Sequence, residues 1–286
     1  MLFRSPGLVY ATDRARYANA VAAAVPRATE VLAGEDFAAL ETTPATSAVD
    51  AAHAAVGPDT IAKFLLTSGS TGQPKAVINT QRMLCSNQQM LTQSLPSLRK
   101  EPPVLVDWLP WNHTAGSNHN LGLVLYHGGT LYIDEGKPVP GLIETTVANL
   151  REVASNWYFT VPKGYEALLP FLRADAQLRN TFFRRLKVLW FAGAALSQSV
   201  FDQMQELALA ACGERIMFLT GLGSTESAPM AIARMWQSKD STNMGVPVPG
   251  VELKLVPCDD KLEARDRKST RLNSSHIQKS RMPSSA

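Results

Sequence analysis

Nine consecutive residues, Thr67-Ser68-Gly69-Ser70-Thr71-Gly72-Gln73-Pro74-Lys75, combine hydroxyls, glycines and a lysine in a pattern suited to phosphate. Glycines let backbone N–H groups close on an anion, hydroxyls donate further hydrogen bonds, and the ammonium neutralises charge. The string is not the Gly-x-x-x-x-Gly-Lys-Ser/Thr loop of nucleotide hydrolases. Only two residues separate Gly69 from Gly72, Pro74 precedes the lysine, and Ala76 stands where a hydroxyl would meet magnesium. Nor is it the nucleophile elbow of a hydrolase, since no glycine lies two residues before Ser70. A plain Ser/Gly turn is the bland alternative. The string's place directly after the apolar run Ile61–Leu66 favours the phosphate reading.

A second constellation, Gly221-Leu222-Gly223-Ser224-Thr225-Glu226, follows the apolar run Arg215–Leu219 and puts a carboxylate at a strand's end. His113 follows the run Val104–Trp108 and on its own reads as a histidine hydrogen-bonded to its neighbours. His113, His119 and His127 are spaced 6 and 8 apart, so no two share a helix face at i, i+4 and a metal trio is not expected. Trp190, Phe191, Met217 and Phe218 read as core, and Arg184, Arg185 and Lys187 as a solvated turn.

These residues need strands to carry them. Strand-like runs occur at Ile61–Leu66, Val104–Trp108, Thr130–Ile133, Trp157–Val161, Lys187–Phe191, Arg215–Leu219 and Val251–Val256. Helical stretches are expected near 81–94, 117–126, 141–154, 164–172 and 197–211, with an Ala-rich helix over Asp13–Val25 stopped by Pro26. Several strands are apolar on both faces, as sheets covered by helices on both sides require. The expected fold is α/β, with layered, largely parallel sheets and flanking helices. Residues 41–59, rich in Ala, Thr and Pro, are expected to form a connector.

The 286 residues are 45% hydrophobic and 19% charged with a mean hydropathy of −0.07, which excludes wholesale disorder. No apolar run approaches the roughly 18 residues of a membrane span, so no membrane partner is expected. Cys85, Cys212 and Cys258 are odd in number, far apart and without a CxxC pair. That argues against a disulfide framework or zinc module and for a reducing cytoplasm.

The formal charge of +3 comes from 28 Lys+Arg against 25 Asp+Glu, and its location matters. Asp266–Ala286 is a Ser- and cation-rich string without aromatics, open to reading as a solvated tail or a nucleic-acid arm. A third reading is preferred. DRKSTRLNSSH and SRMPSSA resemble the in-frame translation of a sequencing adapter, and Leu2-Phe3-Arg4-Ser5 the end of the opposite adapter. Residues 1–5 and 266–286 are then expected to be adapter-derived, the latter as a disordered tail, with 6–265 as the natural segment. Without Arg4 and this tail, 22 cationic and 24 acidic residues remain, so the basicity implies no nucleic-acid partner.

The phosphate string resembles that of the adenylate-forming (AMP-binding) superfamily of acyl- and aryl-CoA synthetases, luciferases and peptide-synthetase adenylation domains. Further landmarks follow in order. Phe191-Ala192-Gly193-Ala194-Ala195-Leu196 is similar to that family's adenine-binding segment, Leu222–Glu226 to its aromatic-Gly-x-Thr-Glu motif, and Gly245-Val246-Pro247-Val248-Pro249-Gly250 to its later turn. Trp108–Thr114, Asn118-His119-Asn120, Gly128–Pro138 and Phe159–Leu168 resemble the feruloyl-CoA synthetase branch, and the resemblance covers roughly residues 8–258.

The resemblance implies an ATP-dependent acid–thiol ligase that forms an acyl-AMP from a hydroxycinnamate-type acid and transfers the acyl group to coenzyme A. It implies Thr67, Ser68, Gly69, Ser70, Thr71, Gly72 and Lys75 on the outer phosphates and Thr225 on the α-phosphate. Glu226 would meet Mg2+. Gly193, Ala194, Ala195 and Gly221 to Ser224 would line the nucleotide, and Trp111, His113, Val161, Pro162 and Gly193 the acid. His113 would sit in the channel between the two. Leu222 stands where an aromatic is usual, and Ala76 where a glycine is usual. The family's ribose-binding aspartate motif, hinge and small C-terminal domain with its lysine are not found in the sequence. The segment 6–265 therefore reads as a partial large domain. A nucleotide-binding fragment without catalysis, a fatty acyl-CoA ligase and a peptide-synthetase adenylation domain are the alternatives. Oligomeric state is not legible.

Overall fold

A computed structural model describes residues 7–67 and 74–254. The chain divides into two compact units, residues 1–60 and the rest from Ile61 onward. In the first, β1 (Leu8–Ala11) and β2 (Glu30–Ala33) pair in parallel, joined through α1 (Arg14–Ala24). Asp13 caps α1 by accepting from Arg16 N at 3.0 Å, and Pro26 follows its end. Arg14 bridges Asp36 at 2.8 Å and Val31 O at 3.1 Å. The expected connector is partly helical: α2 (Phe37–Glu41) reaches into it and α3 (Ser47–Ala54) lies inside it. Its alanines favour helix, and Pro44 and Pro58 fall outside α3 rather than within.

The second unit opens with an antiparallel hairpin of β3 (Ile61–Thr67) and β4 (Lys75–Thr80), followed by α4 (Gln81–Ser94). Then come β5 (Val104–Asp107), a π-helical stretch over Ala115–Leu121, α5 (Gly122–His127) and β6 (Thr130–Ile133), which pairs with β5 in parallel. The central sheet contains β7 (Trp157–Thr160), β8 (Val188–Phe191), β9 (Met217–Gly223), β10 (Met230–Arg234) and β11 (Val246–Pro247), in the order β11-β10-β9-β8-β7. β7, β8 and β9 run parallel, while β10 and β11 are antiparallel additions at one side.

Side-chain alternation along the central strands explains why the sheet is apolar on both faces. Tyr158, Leu189, Phe191 and Phe218 face a core with Leu150, Tyr165, Leu172, Phe182 and Met204. These come from α6 (Ile143–Glu152), α7 (Pro162–Ala174), α8 (Ala176–Arg184) and α9 (Gln198–Cys212). Trp157, Phe159, Val188, Trp190 and Leu219 face the other way, onto Leu91 of α4 and Leu123 of α5. The expected core residues Trp190, Phe191 and Phe218 are each at most 2% exposed.

Three expected boundaries move. The run Arg215–Leu219 becomes a strand that starts at Met217 and continues to Gly223, because β10 returns along it and pairs with Gly221, Leu222 and Gly223. The helix expected over 117–126 begins as π-helix and turns α only at Gly122. Residues 251–254 carry no regular structure where a strand was expected, and 255–256 lie outside the described residues, as do 1–5 and 266–286.

Candidate functional site

Parallel strands in register deliver their carboxyl ends to one edge. Thr160 of β7 pairs with Phe191 of β8, which pairs with Thr220 of β9. β5 runs beside β7, joined where Val104 N donates to Asn156 Oδ1 at 2.7 Å and Asn156 N to Val104 O at 3.2 Å. Four segments therefore leave the sheet together: Trp108–His113, Val161–Pro162, Ala192–Ala195, and the end of β9 with its following turn. The carboxyl edge of an open α/β sheet is where ligands bind.

Each segment is held locally. Trp108 Nε1 donates to Thr160 Oγ1 at 3.1 Å, tying the segment after β5 to the end of β7. Gly193 is exposed, at φ +87°, a conformation glycine adopts without strain, and a Cβ built there would touch Val161 Cγ1 at 4.0 Å. Ala194 and Ala195 are exposed beyond it, and Pro162 is buried as it opens α7. His113 is exposed, with Nδ1 accepting from Ala115 N at 3.1 Å, and Trp111 is 47% exposed.

The carboxylate end is built by glycines. A Cβ on Gly223 would lie 1.7 Å from Pro229 O and one on Gly221 2.7 Å from Ile232 O, so β9 and β10 can approach only with glycine there. Ser224 then caps a single 3-10 turn, Thr225–Ser227: Ser224 N donates to Ser227 Oγ at 2.9 Å, and Ser227 N to Ser224 O at 3.1 Å. Glu226 is exposed on this turn and Thr225 half-buried. β4 packs against the turn. Thr67 and Lys75 are register partners where β3 passes to β4, so the two ends of the hydroxyl- and glycine-rich string stand side by side. Ser68, Gly69, Ser70, Thr71 and Gly72 themselves lie outside the described residues.

Beneath the edge lies a polar network that sequence reasoning missed. Asp107, the last residue of β5, accepts from Leu109 N at 3.1 Å and Asn120 Nδ2 at 2.9 Å through the same oxygen, Oδ1. Asn120 Oδ1 meets His119 Nδ1 at 2.9 Å, and because the Asn120 amide donates to Asp107, His119 Nδ1 must carry the proton. Burial pushes the Asp107 carboxyl up to about 6, against the lowering effect of those two bonds and with a further upward push from Asp134. Burial among Phe159, Trp190 and Trp157 pushes His119 down to about 4, which keeps it neutral. Asn118 Nδ2 donates to Asn79 Oδ1 of β4 at 2.6 Å. The visible signal was the polar triplet Asn118-His119-Asn120 inside a stretch patterned as helix.

Residues 5–268 match the profile of the AMP-binding enzyme family. The chain belongs to that family. It is 28% identical over 206 residues to a long-chain-fatty-acid–CoA ligase of Escherichia coli O6:H1, covering 71% of this chain and 34% of that protein. Against the Homo sapiens long-chain-fatty-acid–CoA ligase ACSBG1 it is 25% identical over 168 residues, covering 58% and 23%. Among solved structures, apo MatB from Rhodopseudomonas palustris superposes with a TM-score of 0.59 at 22% identity, covering 86% of this chain and 45% of that one. A malonyl-CoA ligase ternary product complex with methylmalonyl-CoA and AMP gives 0.59 at 25% identity, covering 89% and 49%. The chain thus spans about a third of the first of these curated relatives.

For an AMP-binding chain the edge offers the right chemistry. Glycine- and alanine-lined backbone at Gly193–Ala195 can lie flat against a purine, with Leu222 half-buried beside Gly221 and Gly223. Among the described residues no group of three His, Cys, Asp or Glu side chains is placed to hold a metal by itself. Glu226 as a lone carboxylate fits Mg2+ shared with phosphate oxygens, a mode this ion favours over an all-protein cage.

Proposed function

We propose that this chain forms the nucleotide- and acid-binding part of an ATP-dependent acid–thiol ligase. The supporting observation is the gathering of four family-like segments at the carboxyl ends of adjacent parallel strands. In the first half-reaction a substrate carboxylate oxygen attacks the α-phosphorus of ATP, the bond to the bridging oxygen breaks, and pyrophosphate leaves. In the second, the thiol of coenzyme A attacks the acyl carbon and AMP leaves with its electron pair, giving the thioester. Neither step needs a protein nucleophile, so catalysis rests on positioning and charge neutralisation.

Lys75 and the hydroxyls of Thr67, Ser68, Ser70 and Thr71, with backbone at Gly69 and Gly72, would hold the departing phosphates. Thr225 would meet the α-phosphate and Glu226 would hold Mg2+, which supplies charge neutralisation when bound. Gly193, Ala194, Ala195, Gly221, Leu222, Gly223 and Ser224 would line the nucleotide. Trp111, His113, Val161, Pro162 and Gly193 would line the acid. The acid assigned is an aromatic hydroxycinnamate such as ferulate, whose flat ring suits an aromatic side chain such as exposed Trp111. The partners are small molecules, and the expected setting is the cytoplasm.

A long-chain fatty acid is the second reading, favoured by the names of the curated relatives. Thioester formation by the intact enzyme with ferulate, hexadecanoate and malonate separates the readings. Ferulate is expected to give the highest kcat/KM. A clear preference for hexadecanoate establishes the second reading, and thioester from none of the three acids removes the ligase assignment.

A further inference from the structure

Asn87 sits on α4, twelve residues beyond Lys75, and its side chain is 5% exposed. Its two polar atoms both reach the turn that carries Thr225 and Glu226. Nδ2 donates to Ser227 O at 2.9 Å, and Oδ1 accepts from Met230 N at 2.8 Å. One amide therefore spans the turn from its last residue to the first residue of β10. The segment it spans includes Ala228 at φ +60°, a left-handed conformation unusual for a residue with a Cβ. The internal bonds of the turn, between Ser224 and Ser227, fix its shape but not its position relative to β4 and α4.

The path from the other side is short and stiff. Lys75 opens β4, Thr80 ends it and caps α4 by accepting from Met83 N at 3.3 Å, and two turns of helix later stands Asn87. The neighbouring Gln88 donates to Asn118 O at 2.7 Å, anchoring the same helix to the π-helical stretch. We infer that Asn87 is a positioning residue that holds Thr225 and Glu226 at a fixed distance from the phosphate hairpin. The role rests on the nucleotide-binding reading above and deepens it, because a carboxylate shared with Mg2+ works only if phosphate and carboxylate are held together.

The test uses the 286-residue chain with Asn87→Ala, and Asn87→Asp, which keeps the acceptor for Met230 N but not the donor to Ser227 O. Amide hydrogen exchange without ligand is read first. Exchange at Met230 and across 224–228 is expected to quicken, with β8 amides unchanged. Calorimetry with ATP then gives affinity with Mg2+ and with EDTA. Asn87→Ala is expected to weaken ATP·Mg binding about tenfold and Asn87→Asp less, each with a smaller loss in EDTA, where only the placing of Thr225 still counts. In a Glu226→Gln background, Asn87→Ala is expected to add less than its loss in the parent, since it acts largely through that carboxylate. Unchanged exchange at the turn overturns the inference. So does an equal loss with and without Mg2+, or an additive loss in the Glu226→Gln background, either of which shows a merely structural role. If the unsubstituted chain binds no ATP while exchange responds as expected, the nucleotide-binding reading fails and this inference with it. If Asn87→Ala loses its circular dichroism, Asn87→Asp carries the same comparisons.

Discussion

Asp107 and His119 lie one hydrogen-bonded residue apart and respond to burial in opposite directions. Burial raises the folded Asp107 carboxyl from its ordinary 3.8 to about 6. Its contribution to stability is fully present below pH 3.8 and is lost as the pH rises through 6. His119, lowered from 6.5 to about 4, contributes stability that is present above pH 6.5 and lost as the pH falls through 4. The two largely offset each other on mild acidification, so a single substitution exposes either one. Asp107→Asn keeps the acceptor for Leu109 N and cannot ionise. Relative to the parent it should gain about 3 kcal/mol between roughly pH 4 and pH 7. Urea unfolding at both values checks this, and a pH-independent difference contradicts it. At the same scale, Lys75→Ala and Glu226→Ala should each slow adenylation about a hundredfold to a thousandfold, read as initial rates with saturating acid. Lys75 and Glu226 could be proposed from the sequence because residue type and neighbours in a string suggest their chemistry. Asp107 and Asn87 were not, because what defines them is a partner elsewhere in the chain; Asn87 grips residues 140 and 143 positions away.

At the scale of elements, periodicity located what local patterning governs. α4 runs from 81 to 94 and β6 from 130 to 133, as the sequence predicts. Strands β7 and β8 and helix α9 fall within a residue of their expected bounds. Local patterning could not show that β9 continues through two glycines, because that extension exists only through pairing with β10. It also could not show that residues 115–121 widen into a π-helix. There Gly116 packs so closely that a Cβ would lie 2.6 Å from the carbonyls of Leu109 and Pro110. π-Helical turns recur at functional sites, and this one leads directly from His113 into the buried network. Gly223→Ala tests the close approach of β9 and β10. A Cβ at 1.7 Å from Pro229 O must push the turn away, so stability should fall by about 1–3 kcal/mol. ATP·Mg affinity should fall with it, measured by denaturation and calorimetry on the same preparation. Unchanged affinity would show that Glu226 is not held by this hairpin.

For the whole molecule, the α/β class was legible because strands apolar on both faces demand helices on both faces. The second unit meets that demand with two separate cores on either side of one sheet. Phe218 is wholly buried in one of them, stacked on Phe201 at 5.0 Å and edge-on to Tyr165 and Phe191. Phe218→Ala should cost about 3–5 kcal/mol in chemical denaturation, whereas the same change at exposed Leu125 should cost under about 1 kcal/mol. The sheet matters to function because its parallel strands end together. That places Trp108–His113, Val161–Pro162, Ala192–Ala195 and the turn carrying Glu226 along one edge, with β4 packed against that turn. Carboxylate-dependent exchange of labelled pyrophosphate into ATP by the intact enzyme measures the proposed joining of carboxylate to ATP directly. Exchange is expected to require Mg2+ and ferulate together and to be lost in Lys75→Ala. No exchange above background across aromatic, fatty and dicarboxylic acids would contradict it.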